Sequence, residues 1–162
     1  MTFTAIDFET ATGHPESACA VGIITVDEGV ITDQYYTLIQ PPWNQYSYHN
    51  IRVHGITPEH TRNEKPFDAH FSTIRNKLFG RKIVAHNEQF DRNVLRRTMQ
   101  HYGLYYDELE IADRWECTCR IYRAKGYKPA NLKYCSERNN IVLNHHDALS
   151  DALACARLYL MR

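Results

Sequence analysis

Asp7 and Glu9 stand two residues apart in TFTAIDFET, a segment that otherwise reads as a buried strand. Successive strand side chains point to opposite faces, so the two acids share one face while Ile6 and Phe8 share the other. Neighbouring carboxylates repel each other, and burial makes each charge costlier. A strand edge facing water would tolerate the pair, whereas a divalent metal ion would turn the repulsion into coordination. Two further acids raise the same question. Asp91 follows Phe90 in AHNEQFDRNVL, in the first turns of a helix, where the helix dipole alone favours a negative charge. Asp151 interrupts a run that is otherwise small and apolar (Ala148, Leu149, Ala152, Leu153, Ala154), so it is either solvated on an outer face or held there for a purpose. His146 lies five residues before Asp151, at the start of the same helix, so both can look into one cleft; the plain alternative for such a histidine is a cap or a surface residue.

The surrounding pattern supplies elements to carry these residues. CAVGIITVDEGVITDQYYTLIQPP reads as two β-rich runs around the turn Asp27-Glu28-Gly29, which with TFTAIDFET makes three consecutive strands. The polar, aromatic stretch from Pro41 to Pro66 reads as a long surface segment, and such a segment in a compact domain is often functional. Phe67, Phe71, Ile74 and Leu78 recur at helical spacing before Gly80. RKIVAHN is a short strand. A helix follows it, with Asn87 as N-cap and Phe90, Val94, Leu95, Met99 and Tyr102 on its apolar side. LEIADRWECT offers a fifth strand, and the next stretch gives helical pieces broken at Gly126 and Pro129. The last helix presents Leu149, Leu153, Ala156 and Leu160 on one face. Strands first, then helices alternating with short strands, predict an α/β sandwich on a mixed sheet.

Composition narrows the partners. The 162 residues suffice for one domain with a proper core, and 43% hydrophobic with 23% charged residues is ordinary for a soluble protein. Nineteen basic and nineteen acidic residues balance, so no global positive field exists to wrap a duplex. A nucleic acid met at a few phosphates stays compatible with that balance. Five cysteines with no regular framework point to free thiols in a reducing compartment. With no signal peptide and no membrane-length apolar run, a cytoplasmic protein is expected.

Taken in order, Asp-x-Glu on a first strand, an Asp beyond a strand–helix junction and His-x4-Asp on the last helix resemble the DEDD superfamily of 3′–5′ exonucleases. The likeness is to its DEDDh (DnaQ-like) branch, which includes the exonuclease domain of the DNA polymerase III ε subunit, RNase T and oligoribonuclease. IDFET (6–10), HGIT (54–57), HNEQFD (86–91) and HDALSDA (146–152) carry the resemblance, which runs along essentially the whole chain. It implies an RNase H-like α/β fold with a central five-stranded mixed sheet flanked by helices, and a single exonuclease domain over residues 1–162. It further implies that Asp7, Glu9, Asp91 and Asp151 hold two divalent cations, Mg²⁺ or Mn²⁺, about 4 Å apart. His146 becomes the general base by the family's spacing to Asp151; its neighbour His145 could be named for the role too, and is otherwise a loop residue. Thr10, Ala11 and Thr12 are expected to line the 3′-terminal nucleotide. His54, His86, Asn87 and Phe90 either flank its base or phosphate or serve in capping and packing.

The implied activity is release of nucleoside monophosphates from the 3′ end of single-stranded or frayed nucleic acid, DNA ahead of RNA, with a polymerase or repair protein as companion. The rivals are an RNA-directed enzyme of the RNase T or oligoribonuclease type, an endonuclease of the same fold, and an exonuclease-like domain that only binds. A zinc module built on Cys117, Cys119, Cys135 and the His145–His146 pair lacks the usual ligand spacing.

Overall fold

The structure, a computed structural model, describes residues 1–162. Strands β1 (Phe3–Thr10), β2 (Ala18–Asp27) and β3 (Val30–Leu38) form an antiparallel meander. The β2–β3 turn is made at Glu28 and Gly29, both with positive φ (54° and 88°), the conformation a two-residue hairpin turn demands. Helices α1 (Tyr48–His54), α2 (Pro58–Thr61) and α3 (Phe67–Leu78) then lead to β4 (Ile83–Ala85), parallel to β1. After α4 (Glu88–His101) comes β5 (Trp115–Cys117), parallel to β4, and the chain continues as α5 (Thr118–Ala124), α6 (Leu132–Arg138) and α7 (Ala148–Leu160). The sheet order is β3-β2-β1-β4-β5, so β1 sits at the centre of a five-stranded mixed sheet with helices on both faces, the RNase H-like arrangement.

The two faces of β1 feed two cores. Ile6 and Phe8 pack with Val94, Leu95 and Met99 of α4 and with Ile74 and Leu78 of α3. On the other face, Phe3 and Ala5 pack with Ala152, Cys155, Ala156 and Tyr159 of α7. The alternation read from the sequence therefore holds, and Asp7 and Glu9 belong to the α7 face. Gly22 is opposite Asp7 in the β1–β2 ladder. A Cβ there would lie 2.1 Å from the carbonyl oxygen of Ala148, so the first turn of α7 rests directly on the bare backbone of β2.

Several expectations need correction. Only Trp115–Cys117 of the fifth strand forms; Glu110 turns left-handed at φ 54°, which no strand accommodates, and Leu109 and Ile111 plug the core instead. The surface segment before Pro66 contains α1 and α2, the first capped by the Ser47 hydroxyl accepting from the N–H of Asn50. Asn87 precedes α4 at φ 69°, and its side chain makes no capping bond. Phe90 is 45% exposed and does not join the core side of α4. On α7 the leucines at 149, 153 and 160 are half-buried, while Ala152, Ala154, Cys155, Ala156, Leu158 and Tyr159 are buried. The cause is a helix covered on both sides, by the sheet and by Tyr122, Leu132 and Cys135 of α5 and α6. Such a helix is apolar all round, and small residues let it approach its neighbours. No helix is long and apolar enough to cross a membrane.

Candidate active site

Three carboxylates meet where β1 passes under the start of α7. Ligand oxygens of Asp7, Glu9 and Asp151 all lie within 4.8 Å of one another. Strand alternation delivers the first two. The third comes from the first turn of α7, which is capped by Asp147 accepting from the N–H of Ser150 at 2.8 Å. The bend before that cap passes through His146 at φ 67°. This left-handed residue lets Asp151 Oδ2 accept from the His146 N–H at 3.1 Å while also meeting His145 Nδ1 at 2.9 Å. The two imidazoles stack with centroids 3.8 Å apart. His145 is thus a partner of Asp151 rather than a bystander in the loop.

Asp91 arrives differently. The Thr4 N–H donates to the Lys82 carbonyl at 2.9 Å, so every second donor of β1 faces β4. But β4 ends at Ala85, and the Phe8 N–H emerges beyond it with no strand partner. Asp91 Oδ1 accepts from it at 2.9 Å, fully buried. A buried backbone donor must be satisfied, and here the open sheet edge is what fixes the acid. Asp91 does not line the open cleft itself. Three residues earlier, the buried Glu88 pairs with Arg120 of α5 at 3.0 Å and with Arg92 at 3.4 Å, anchoring the start of α4.

Burial raises the pKa of all four acids above the ordinary carboxylate value. For Asp7 burial leads, and Asp91, Asp151 and Glu9 add to the upward shift. Glu9 is pushed up to about 8 by burial and then by Asp151 and Asp91. Asp91 reaches about 8 through burial, although the Phe8 N–H opposes it. Asp151 is raised by burial against the pull of His145. Its Oδ1 is buried with no hydrogen-bond partner. An orphaned oxygen among buried, mutually repelling carboxylates fits a hard divalent cation, whose charge removes both penalties. No cysteine joins either group of candidate ligands.

These shifts set a pH signature. Glu9 and Asp91 keep their protons to about pH 8 when folded and lose them near pH 4 when unfolded, so the folded state binds more protons in between. Their contribution to stability is fully present below about pH 4 and is lost as pH rises through 8. Melting in EDTA should therefore give a lower midpoint at about pH 8.5 than at about pH 5.5, with Mn²⁺ recovering most of the loss at the higher pH. Equal midpoints would show that the acids are not buried as described.

A cleft of about 380 Å³ opens over the acids, walled by Thr10, Asn50, His54, His86, Phe90 and the two stacked histidines among others. His54 Nε2 meets the Thr10 carbonyl at 3.0 Å while its Nδ1 accepts from the Ile56 N–H at 3.0 Å. His86 contacts the Thr118 hydroxyl at 2.9 Å and the Ala130 carbonyl at 3.0 Å. Burial lowers the pKa of both, that of His86 to about 4. With both ring nitrogens engaged, these two histidines are neutral wall residues; the other histidines of the cleft are His49 on α1 and the stacked pair His145 and His146, of which only the pair contacts an acid of the floor.

Other expected substrate residues lie elsewhere. Ala11 is wholly buried, Thr12 faces a separate cavity beside Trp43, and Asn87 lines the cavity next to the cleft. Asn50 was missed; its amide donates to the Thr10 carbonyl (2.8 Å) and the Thr12 carbonyl (3.1 Å), clamping α1 to the end of β1. The only hint in the sequence was Ser-x-x-Asn at a helix start. Val53 and Asn131 also line the cleft, without any signal that spacing could have given.

A carboxylate-floored cleft at the centre of an RNase H-like sheet defines a class of hydrolytic α/β domain. Comparison with known proteins makes that specific. A family model described as exonuclease (RNase_T) matches residues 4–159, and the chain belongs to that family. It is 29% identical over 168 residues to the PolC-type DNA polymerase III of Thermotoga petrophila, covering 98% of this chain and 12% of that protein. To the 3′-5′ exonuclease DinG of Bacillus subtilis it is 26% identical, covering 98% of this chain and 17% of the other. The chain thus spans a small part of the length of these relatives. Among solved structures, apo exonuclease I superposes with a TM-score of 0.84 at 18% identity, over 99% of this chain and 41% of that one. Exonuclease X in complex with 5′ overhanging duplex DNA gives 0.75 at 21% identity, over 98% and 89%. These likenesses show the fold.

Proposed function

We propose that residues 1–162 act as a single metal-dependent 3′–5′ exonuclease domain that removes nucleoside monophosphates from single-stranded or frayed 3′ ends, DNA in preference to RNA. The observation that carries the reading is the convergence of Asp7, Glu9 and Asp151 within 4.8 Å under a cleft flanked by a histidine pair. Asp7, Glu9, Asp91 and Asp151 would hold two divalent cations, Mg²⁺ or Mn²⁺, which when bound supply an acidified water and neutralise charge on the reacting phosphate. His146 takes the proton of the attacking water. Burial and the neighbouring His145 depress its pKa, which keeps it neutral and able to accept. His145 positions Asp151 through the Nδ1 contact. The neutral walls at His54 and His86 hold the terminal nucleotide without adding charge, and Phe90 and Thr10 lie against it.

DNA is favoured because the relatives include a PolC-type DNA polymerase III and the structural neighbours include exonuclease X with 5′ overhanging duplex DNA. A polymerase or repair protein in the cytoplasm is the companion this suggests.

The test is a 5′-labelled oligonucleotide of one sequence, made as DNA and as RNA, incubated with Mg²⁺ or Mn²⁺ and with EDTA. A ladder shortening one nucleotide at a time, faster on DNA and abolished by EDTA, is expected. Internal cuts, or shortening that survives EDTA, would refute the reading. Within it, His146→Gln at saturating Mn²⁺, which keeps the carboxylates ionised, should cut kcat by about 10²-fold and remove the acidic limb of the pH–rate profile, the scale of losing a positioned base. His145→Gln should leave that limb in place and raise the Mn²⁺ concentration needed for half-maximal activity instead. The reverse pattern would transfer the role of base to His145.

A further inference from the structure

The cleft is small for a polynucleotide. At about 380 Å³ it falls near the lower end of the roughly 300–1,000 Å³ range of sites that hold one small ligand, so a longer strand must leave over adjoining surface. A cavity of about 580 Å³ adjoins it and shares His86 and Asn131 as common walls. Its outer walls include Arg123, near the end of α5, and Lys128, in the loop that follows, both exposed. No carboxylate lines this annex. Neither cation forms an ion pair, whereas Arg120, one turn before Arg123, is taken up by Glu88 at 3.0 Å. The carboxylate floor and the cationic annex therefore meet across the neutral ring of His86. In a chain whose formal charges cancel, this is a local arrangement rather than the mark of a basic protein.

We infer that the annex holds the phosphodiester backbone of the substrate strand where it emerges from the cleft, with Arg123 and Lys128 each meeting one phosphate. The inference rests on the nucleic-acid reading above and adds to it the path of the strand. An arginine offers phosphate a planar fork and a lysine a point charge; the annex holds no competing acid, and Arg123 donates there only to Cys119 Sγ, a weak acceptor, at 3.5 Å.

The test uses the whole chain, the double variant Arg123→Ala/Lys128→Ala and the charge-keeping Arg123→Lys/Lys128→Arg. Binding of a fluorescent single strand of about 20 nucleotides is followed by anisotropy with Ca²⁺ in place of Mg²⁺, between about 50 and 200 mM salt. Two phosphate contacts on a single strand contribute about 1.4 to the slope of log Kd against log salt, so the alanine variant should lose that slope and change about sevenfold less across the range. The charge-keeping variant should retain it. An unchanged slope in the alanine variant, or equal loss in both variants, overturns the inference. Hydrolysis of the p-nitrophenyl ester of thymidine 5′-monophosphate, which enters the cleft alone, provides the second arm. The ratio of strand to ester turnover should fall in the alanine variant; a parallel fall of both would place the cations in the cleft and refute the annex. An effect confined to duplex ends would assign the phosphates to the complementary strand, against the proposal. Wild-type protein that binds the strand with the expected slope yet hydrolyses neither substrate would sink the exonuclease reading and leave the annex standing.

Discussion

Asp7→Asn should abolish turnover and, in the absence of metal, make the protein more stable. Asp7 is the most crowded of the acids: burial, then Asp91, Asp151 and Glu9, all oppose its charge. An amide of the same shape needs no proton taken up on folding, whereas the Asp7 carboxyl is ionised in the unfolded chain and must be protonated to be buried among its neighbours. Near pH 8, where its neighbours ionise, the metal-free variant should gain on the order of 1–3 kcal/mol in urea melts. The same change would remove one of the four carboxylates proposed to hold the cations. Loss of both an activated nucleophile and charge stabilisation, each about 10²-fold or more, predicts a fall in kcat of at least about 10⁴-fold. The opposite signs of the two effects identify a group kept for function against folding. A variant both inactive and less stable in EDTA would show instead that Asp7 is part of the scaffold.

Gly22→Ala should damage stability and activity together. The added methyl would lie 2.1 Å from the Ala148 carbonyl oxygen and 2.6 Å from Cα of Leu149, backbone atoms that can yield only if the start of α7 moves. Overpacking of this kind costs about 1–3 kcal/mol, and the upper end is expected because backbone rather than a flexible side chain is in the way. The movement has a chemical result, since Asp151 and the histidine pair ride on that turn. Displacing them by about 1 Å should lower kcat by about 10²-fold even in molecules that remain folded. Gly13→Ala is the control for stability, because no atom lies within 4 Å of its added Cβ and its φ is not positive. If Gly22→Ala melts like Gly13→Ala and keeps its activity, the close approach of α7 to β2 is not what sets the site.

The acids could be read from the sequence because each sits on a regular element. A two-residue period placed Asp7 and Glu9 on one face without knowledge of the fold, and Asp151 betrayed itself as an acid in an apolar helix. The hairpin at Glu28-Gly29 was equally plain. What escaped depends on contacts that no local period encodes. Gly22 matters only because register sets it opposite Asp7 and α7 descends on it. The contact between His145 and Asp151 depends on a left-handed turn at His146, which spacing in the sequence does not announce. Phe90 fits the apolar side of α4 by spacing, yet it is half exposed at the mouth of the cleft. Short α1 and α2 lack the length for a periodic signal, so the Asn50 clamp stayed hidden in a stretch that reads as loop.

The shortness of β4 carries a consequence for how such a domain can vary. One backbone N–H, that of Phe8, is offered at the point where the central sheet stops being continuous. Had β4 run two residues further, that donor would have gone to its ladder, the sheet would have been more regular, and Asp91 would have been left with nothing to grip. Sheet completion and the placement of Asp91 are rival uses of a single hydrogen, and changes that perfect the scaffold at this spot are the ones the proposed site can least survive.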